Sequence, residues 1–262
     1  MNATQRACSA PSRGTHATDD KPGISVAVPA FNEEPRLPAS LEKLAAHFAA
    51  TPPPSGWELI VVDDGSTDGT SRAALDASAR LGLPLKLLRH EPNRGKGAAV
   101  RAGALASVGS RVLVTDADLS TPIGELAKLE QAIDAGAAVA IGSRALDPSL
   151  ILERQPLYRV SMGKLFNVCV RTLCVSGIRD TQCGFKLFTR IAAHDVFSHA
   201  KVDRFAWDVE ALLLARRLGH RIDEVPVLWS NADGSRVSFA GGAQAYFELL
   251  RIRRAVERSL GS

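Results

Sequence analysis

The sequence lacks the features that would assign it to several classes of protein. No apolar run approaches the roughly 18 residues that a membrane span needs, so no transmembrane helix is predicted. The four cysteines have no zinc-type spacing, and we interpret them as reduced thiols of a cytoplasmic protein. Neither sign of charge predominates, because 32 basic and 28 acidic residues leave a net charge of +4. That excess neither requires nor excludes an anionic partner, and we expect no nucleic acid among the partners.

The first half of the chain alternates between strand and helix patterns, which predicts an α/β fold with a mainly parallel sheet and helices on both faces. The expected strands are Ile24–Val28, Leu59–Val62, Leu85–Leu88, Val112–Thr115 and Ala138–Ile141. The expected helices are Leu37–Ala50, Thr70–Leu81, Gly97–Ser107 and Ile123–Ala135. Before them, residues 1–23 are polar and small, which predicts a disordered tail and no signal peptide.

The second half is less regular, and we expect it to complete the same domain. The predicted elements are a helix over Leu157–Cys174, a strand at Leu187–Thr189, an irregular segment at Asp195–Ala200, a helix over Trp207–Leu218 and an edge strand at Ile222–Leu228. The domain would therefore span 24–242, divided near Gly142 into a ligand-binding half (24–142) and a second half (143–242). A basic amphipathic helix, residues 243–262, follows it.

Acidic, turn-forming clusters follow three of the predicted strands. They are Pro29–Glu34, Asp63–Gly69 and Asp116–Asp118. Ligands of open parallel sheets bind beyond the carboxyl ends of the strands. Because alternate side chains of a strand point to the same face, we expect Asp116 and Asp118 to point together beyond the strand end. Their carboxylates are hard donors that suit Mg²⁺ or Mn²⁺. Taken singly, each cluster is also compatible with a solvated turn or a helix cap.

In order and spacing, these motifs resemble those of the inverting GT-A glycosyltransferases, glycosyltransferase family 2. The shared motifs are Pro29–Glu33, Val62–Asp68, Asn93–Gly97 and Asp116–Asp118. The later motifs Gly142–Arg144 and Asp180–Phe188 are more specific. They are similar to those of the branch that makes polyprenyl- and dolichyl-phosphate sugars, and most of all to the dolichyl-phosphate β-glucosyltransferases. The resemblance covers roughly Ile24–Val237 and implies a GT-A fold.

The resemblance implies a nucleotide-sugar site in the first half. Asp64 would accept the imide N–H of uracil, and Asp63 would hold its loop. Glu33 would accept a ribose hydroxyl, and Asp118 would bind Mg²⁺ or Mn²⁺. The other expected contacts to the donor come from Pro29, Phe31, Arg94, Lys96, Asp116 and Arg236. For Phe31 a place in the core, and for Arg94 and Lys96 an exposed basic turn, remain open alternatives.

The resemblance also implies a phosphate acceptor, whose negative oxygen can attack without a general base. Cations would hold it, and the expected contacts are Arg144, Arg159 and Ser161, with Arg154 and Lys164 as further candidates. Asp180 and Lys186 would belong to the sugar or acceptor pocket, although a structural turn explains them equally well. Asp208 is the reserve candidate for a base, and helix capping is its alternative explanation.

We therefore expect an enzyme that transfers glucose from UDP-glucose to a polyprenyl phosphate. The alternatives are a GDP-mannose donor, a hydroxylated acceptor with Asp208 as base, and a nucleotide-sugar-binding module without catalysis. Since the lipid stays in a bilayer, we also expect peripheral membrane contact through the last helix, or a membrane-protein partner. Positive charge at the membrane would come from Arg251, Arg253, Arg254 and Arg258, and apolar area from Phe239, Tyr246, Phe247, Leu249, Leu250, Ile252 and Val256. Packing of these apolar residues on the enzyme's own core, with the arginines merely solvated, is the open alternative.

Overall fold

The computed structural model describes residues 21–152, 170, 172, 174–204, 206–230 and 242–260, with the backbone alone for 242–248. Several predictions lie outside these residues. They concern the tail up to residue 20, most of the helix from Leu157, and the side chains of Arg154, Arg159, Ser161, Lys164 and Arg236.

The described strands form one seven-stranded sheet in the order β3-β2-β1-β4-β6-β5-β7. The strands are β1 (Ile24–Ala30), β2 (Trp57–Asp63), β3 (Leu85–Arg89), β4 (Arg111–Val114), β5 (Val139–Ser143), β6 (Lys186–Thr189) and β7 (Ile222–Pro226). Pairing is parallel except at β6, which runs antiparallel to both β4 and β5. β7 lies at an edge, as Pro226 predicts. The predicted mainly parallel α/β sheet is confirmed.

The helices are α1 (Leu37–Ala50), α2 (Thr70–Leu81), α3 (Lys96–Ala106), α4 (Leu126–Asp134), α5 (Arg190–His199), α6 (Trp207–Arg217) and α7 (Gly242–Leu260). The prediction of an irregular segment at Asp195–Ala200 is wrong, because α5 continues to His199. The Thr189 side chain accepts a hydrogen bond from the Ala192 N–H and caps the helix. Val196 and Phe197 then bury the helix face against the core. No helix within the described ranges is long and apolar enough to cross a membrane.

The carboxyl ends of β1, β2 and β4 lie side by side, because these strands are neighbours in the sheet. The three strands are almost entirely buried, so they form a rigid platform below the clusters that follow them. The sheet therefore brings the three predicted motifs to one edge, which is where ligands bind in folds of this class.

The last helix is amphipathic, but its apolar side does not face solvent. Leu249, Ile252 and Val256 are at most 3% exposed. Leu249 packs with Val170 and Val209, and the other two join the core formed by α5 and α6. For these three side chains the prediction of membrane insertion is therefore wrong and the alternative is confirmed, since they stabilise the enzyme's own core.

Candidate active site

The loops after β1 and β2 are tied to each other by hydrogen bonds. The Asn32 side chain accepts from the Thr67 N–H at 2.9 Å, and the Asn32 N–H donates to the Ser66 hydroxyl at 2.9 Å. The Glu34 carboxylate accepts from the Gly69 N–H at 2.9 Å. Asn32 adopts φ 55°, a left-handed conformation that asparagine tolerates better than most residues. The two motifs therefore form one structural unit at the sheet edge.

Asp63 holds its loop, as expected. Its buried carboxylate accepts from the Ser66 N–H at 2.8 Å and from the Ser71 hydroxyl, and it pairs with Arg89 at 2.9 Å. Burial opposes ionisation of Asp63, but the hydrogen bonds from Ser66 and Ser71 and the charge of Arg89 outweigh it and lower the pKa. Asp63 is thus an ionised structural residue.

Asp64 organises the turn that leads into α3. Its carboxylate lies 2.8 Å from His90 Nδ1 and accepts from the Asn93 amide at 2.9 Å. It also accepts from the backbone N–H groups of Arg94 and Gly95, at 3.1 and 2.7 Å. The side chain is only 4% exposed, so these contacts surround it. The contact to uracil stays a prediction.

The remaining donor-site candidates of the first half lie at the rim. Pro29 is buried in β1, whereas Phe31 is 40% exposed where the strand ends, so Phe31 is not a core residue. The Glu33 carboxylate pairs with Arg36 through two hydrogen bonds of 2.8 and 2.9 Å. Arg94 is exposed. Phe31 and Arg94 are therefore the members of this set that a ligand can reach without rearrangement.

The glycines before and within the first turn of α3 allow close packing against the second half of the chain. Gly95 has φ 112°, and a Cβ there would meet the Asp203 carbonyl well inside van der Waals distance. A Cβ on Gly97 would meet the Val202 carbonyl in the same way. The Ala98 N–H donates to the Asp203 carbonyl at 3.1 Å. These glycines therefore serve a backbone contact within the protein.

Glu210 fixes that packed segment from the other side. Its buried carboxylate accepts from the N–H groups of Lys201 at 3.0 Å and Val202 at 2.8 Å. Asp203 pairs in turn with Arg101 of α3 at 2.5 Å. The chain between α5 and α6 is thereby clamped onto the start of α3, which carries Lys96.

Lys96 and Asp116 form the ion pair that joins the third and fourth motifs, with Nζ and Oδ1 2.7 Å apart. Each side chain is 32% exposed. Burial alone would lower the pKa of Lys96, but Asp116 and then Asp208 raise it. Burial alone would raise the pKa of Asp116, but Lys96 and Lys186 lower it. Both groups are therefore charged at neutral pH.

Asp118 lies in a turn and not on a strand. β4 ends at Val114, and the Leu119 N–H donates to the Asp116 carbonyl at 3.1 Å. The strand argument for a common direction of the two carboxylates is therefore wrong. Asp118 Oδ1 accepts from the Ser120 N–H at 2.9 Å. No group of three potential metal-binding side chains occurs among the described residues. A single carboxylate still fits Mg²⁺, which keeps several waters and binds substrate phosphates.

Arg144 is held in place by Asp180, the first residue of the Asp180–Phe188 motif. Its guanidinium donates to both oxygens of Asp180, at 2.7 and 2.8 Å, and lies 5.3 Å from the ring centre of Trp229. The Asp180 N–H donates to Glu224 of β7 at 2.7 Å. Burial alone would raise the pKa of Asp180, but Arg144 lowers it. Glu224 and Asp180 therefore orient a charged arginine at the sheet edge.

Lys186 and Asp208 lie beneath these groups. Lys186 is fully buried, donates to the Cys183 carbonyl, and lies 5.2 Å from the ring centre of Trp207. Burial lowers its pKa, although Asp208 partly opposes this. Asp208 is 6% exposed and accepts from the Val209 N–H at 2.8 Å. Burial raises the pKa of Asp208 to about 6.

The tertiary structure thus assembles one cluster of charges from motifs that lie far apart in the sequence. Its members are Lys96, Asp116, Arg144, Asp180, Lys186 and Asp208, with Asp118 close enough to influence Lys96. Sequence reasoning missed four supporting residues, namely Asp203, Glu224, Trp229 and Gly184, whose missing side chain leaves room for the Asp116 carboxylate. Gly184 alone carried a signal, because it lies inside the Asp180–Phe188 motif.

The chain is similar to known proteins both in sequence and in fold. The profile for Glycosyl transferase family 2 matches residues 25–197. Dolichyl-phosphate β-glucosyltransferases from Homo sapiens and Mus musculus are 40% and 41% identical, each over 88% of this chain and 74% of its own length.

A solved structure of glucosyl-3-phosphoglycerate synthase from Mycobacterium tuberculosis with Mn²⁺ and UDP-glucose is 18% identical and has a TM-score of 0.60. The match covers 92% of this chain and 79% of that one, which supports the GT-A fold. The resemblance inferred from the motifs is confirmed. The profile and the relatives show that the chain belongs to glycosyltransferase family 2.

Proposed function

We propose that this enzyme transfers glucose from UDP-glucose to a polyprenyl or dolichyl phosphate with inversion at the anomeric carbon. The observation that carries the proposal is the charge cluster at the carboxyl ends of the strands. There the Lys96–Asp116 pair of the donor motifs lies close to the Arg144–Asp180 pair of the branch-specific motifs. The names of the dolichyl-phosphate β-glucosyltransferases at about 40% identity support transfer of glucose to dolichyl phosphate.

On the donor side, the exposed residues would bind the nucleotide and the buried ones would position them. Phe31 would pack against the base. Asp64 would contact uracil through a carboxylate oxygen that now accepts a hydrogen bond from the Arg94 N–H. Lys96 would exchange part of its contact with Asp116 for a diphosphate oxygen, which leaves Asp116 free to accept a ribose or sugar hydroxyl. Arg94 and Arg236 would add positive charge at the diphosphate.

Asp118 would hold a divalent cation, Mg²⁺ or Mn²⁺, together with the diphosphate. The cation would offset the negative charge that develops on the departing UDP. Within the described part of the site no three side chains could hold the cation between them, so diphosphate oxygens would supply further ligands and metal and nucleotide would bind together.

On the acceptor side, an oxygen of the lipid phosphate would attack the anomeric carbon from the face opposite UDP. The new bond joins that oxygen to the carbon, while the bond to the diphosphate breaks and UDP takes the electron pair. The attacking oxygen is already ionised, so no base has to remove a proton. Arg144 would orient the phosphate, helped by Arg159 and Ser161, and the enzyme would contact the membrane that holds the lipid.

One alternative is transfer to a hydroxyl with Asp208 as the base. A pKa of about 6 would suit that role, and it is the observation in favour. Against it, Asp208 is nearly buried and lies beside the ammonium of Lys186, which suits a group that positions its neighbours. GDP-mannose as the donor is a second alternative, and a binding module without turnover is a third.

UDP release from UDP-glucose, measured with and without a polyprenyl phosphate, tests the proposal. We expect metal-dependent release only with the lipid phosphate, and a lipid-linked β-glucoside as the product. Release that requires a hydroxylated acceptor would favour Asp208 as a base. Turnover of GDP-mannose alone would reassign the donor. Binding of UDP-glucose without release under any of these conditions would indicate a binding module.

A further inference from the structure

Helix α7 carries a row of arginines on the side that faces away from the protein. Arg251, Arg254 and Arg258 are exposed, whereas Leu249, Ile252 and Val256 are buried. At about 100° per residue, the three arginines form a single stripe, and that stripe lies roughly opposite the buried face. The helix is therefore anchored by its apolar side and presents a line of positive charge to the surroundings.

The acidic residue beside this stripe is already neutralised. Glu257 pairs with Arg253 at 3.0 Å and with Arg217 of α6 at 3.3 Å. It is the one acidic residue among the described side chains of α7. We call Arg217, Arg251, Arg253, Arg254 and Arg258 the arginine surface. With Glu257 it carries a net charge of +4. Positive charge therefore predominates on this surface.

Helix α7 packs alongside α6, whose first turn carries Asp208 of the charge cluster. Leu249 packs with Val209 in the first turn of α6, and eight residues later on both helices Glu257 pairs with Arg217. The two helices therefore run in the same direction. Because Asp208 precedes Val209, Leu249 lies next to the helical turn that carries it, and the stripe from Arg251 to Arg258 runs from there along the direction of α6.

We propose that the arginine surface docks the enzyme onto an anionic bilayer by electrostatic attraction, without insertion of apolar side chains. The proposal rests on the proposed function, because a lipid phosphate acceptor has to be met at a bilayer. Insertion through this face of the helix is excluded by the burial of Leu249, Ile252 and Val256. Attraction of basic residues to anionic lipid is the remaining route for this surface, and its strength falls with salt.

Co-sedimentation of the full chain with vesicles tests the inference. Vesicles of phosphatidylcholine alone are compared with vesicles that also contain phosphatidylglycerol, at low and at high salt. The test protein, called the α7 variant, combines the three substitutions Arg251→Ala, Arg254→Ala and Arg258→Ala. The matched control replaces three exposed arginines elsewhere, Arg72→Ala, Arg80→Ala and Arg221→Ala. Both triple variants lose the same charge, and thermal melting verifies that both are folded.

We expect the wild type to bind the anionic vesicles, and high salt to release it. The α7 variant should bind roughly 100-fold more weakly, which corresponds to about 1 kcal/mol per arginine. The control variant should bind anionic vesicles with an affinity much closer to that of the wild type than to that of the α7 variant. Absence of binding to anionic vesicles, salt-insensitive binding, or equal losses in the two variants would overturn the inference. An acidic protein partner would then be the occupant to seek.

A second readout separates this inference from the proposed function. The α7 variant should keep wild-type turnover with a short, water-soluble prenyl phosphate and lose rate only with a vesicle-embedded long-chain acceptor. If the wild type transfers glucose to the soluble acceptor but binds no vesicle, the inference fails and the function stands. If it binds anionic vesicles through these arginines but transfers to neither acceptor, the function fails and the docking surface stands.

Discussion

Replacing Gly184 by alanine tests whether the position of Asp116 controls activity. Gly184 follows Cys183 in the branch-specific motif, and its Cα lies against the Asp116 carboxylate. An alanine Cβ would lie 2.6 Å from Asp116 Oδ1 and closer still to Oδ2 and Cγ. Ordinary contacts begin at 3.4 Å, so the carboxylate would have to move by roughly 1 Å. That shift would pull it from Lys96, which now lies 2.7 Å away.

The expected cost falls on catalysis and not on folding. A misplacement of about 1 Å in a catalytic group can cost roughly 100-fold in rate, or about 2.7 kcal/mol in the barrier. The Asp116 side chain is 32% exposed, so its displaced carboxylate can rotate toward solvent. The Gly184 backbone has no positive φ that would disfavour alanine. The free energy of unfolding should therefore change by less than about 1 kcal/mol.

The assay is UDP release at saturating UDP-glucose and polyprenyl phosphate, combined with urea unfolding of each protein. Gly124→Ala is the matched control, because nothing lies within 4 Å of a Cβ at that position. We expect a large loss of kcat for Gly184→Ala and none for Gly124→Ala. Wild-type kcat in a stably folded Gly184→Ala protein would refute the assignment of Asp116 to the reaction.

Three further predictions address single groups of the site. Asp118→Asn should abolish metal-dependent turnover and weaken metal-dependent UDP binding while the melting temperature stays unchanged; near-native activity with Mg²⁺ or Mn²⁺ would contradict the metal assignment. Arg144→Lys should raise the KM for lipid phosphate about ten- to 100-fold, as expected for loss of a charge-assisted contact worth about 1.5–3 kcal/mol, and an equal rise for UDP-glucose would argue against an acceptor role. Lysine is preferable to alanine here because alanine would leave the buried Asp180 unpaired. Burial raises the pKa of Asp208 from 3.8 to about 6, so the folded protein holds a proton that the unfolded chain releases. This group's contribution to the free energy of unfolding therefore falls as pH rises from about 4 to 6. Denaturant unfolding across that range should show the fall in the wild type and a smaller one in Asp208→Asn, and parallel pH profiles would contradict the assignment.

Local sequence patterns predicted the elements well because each pattern reflects short-range physics. α1 and α2 have the predicted bounds, and the strands begin or end within two residues of the predictions. The miss at Asp195–Ala200 arose because α5 has a short, interrupted apolar pattern. Its helical state depends on the Thr189 cap and on burial of Val196 and Phe197, both of which need the rest of the fold.

The sequence by itself determined the fold class, the family and the positions of the acidic motifs at strand ends, because strand periodicity and motif spacing are local properties. Only the tertiary structure decided which charges meet. Lys96 and Asp116 are 20 residues apart, and Arg144 and Asp180 are 36 apart. Their pairing depends on strand order, on the clamp that Glu210 provides and on the space at Gly184. The structure also decided the role of α7, since periodicity predicts an apolar face but not what covers it. In the structure the apolar face packs against apolar side chains of α6, so the arginines on the opposite side of α7 face solvent.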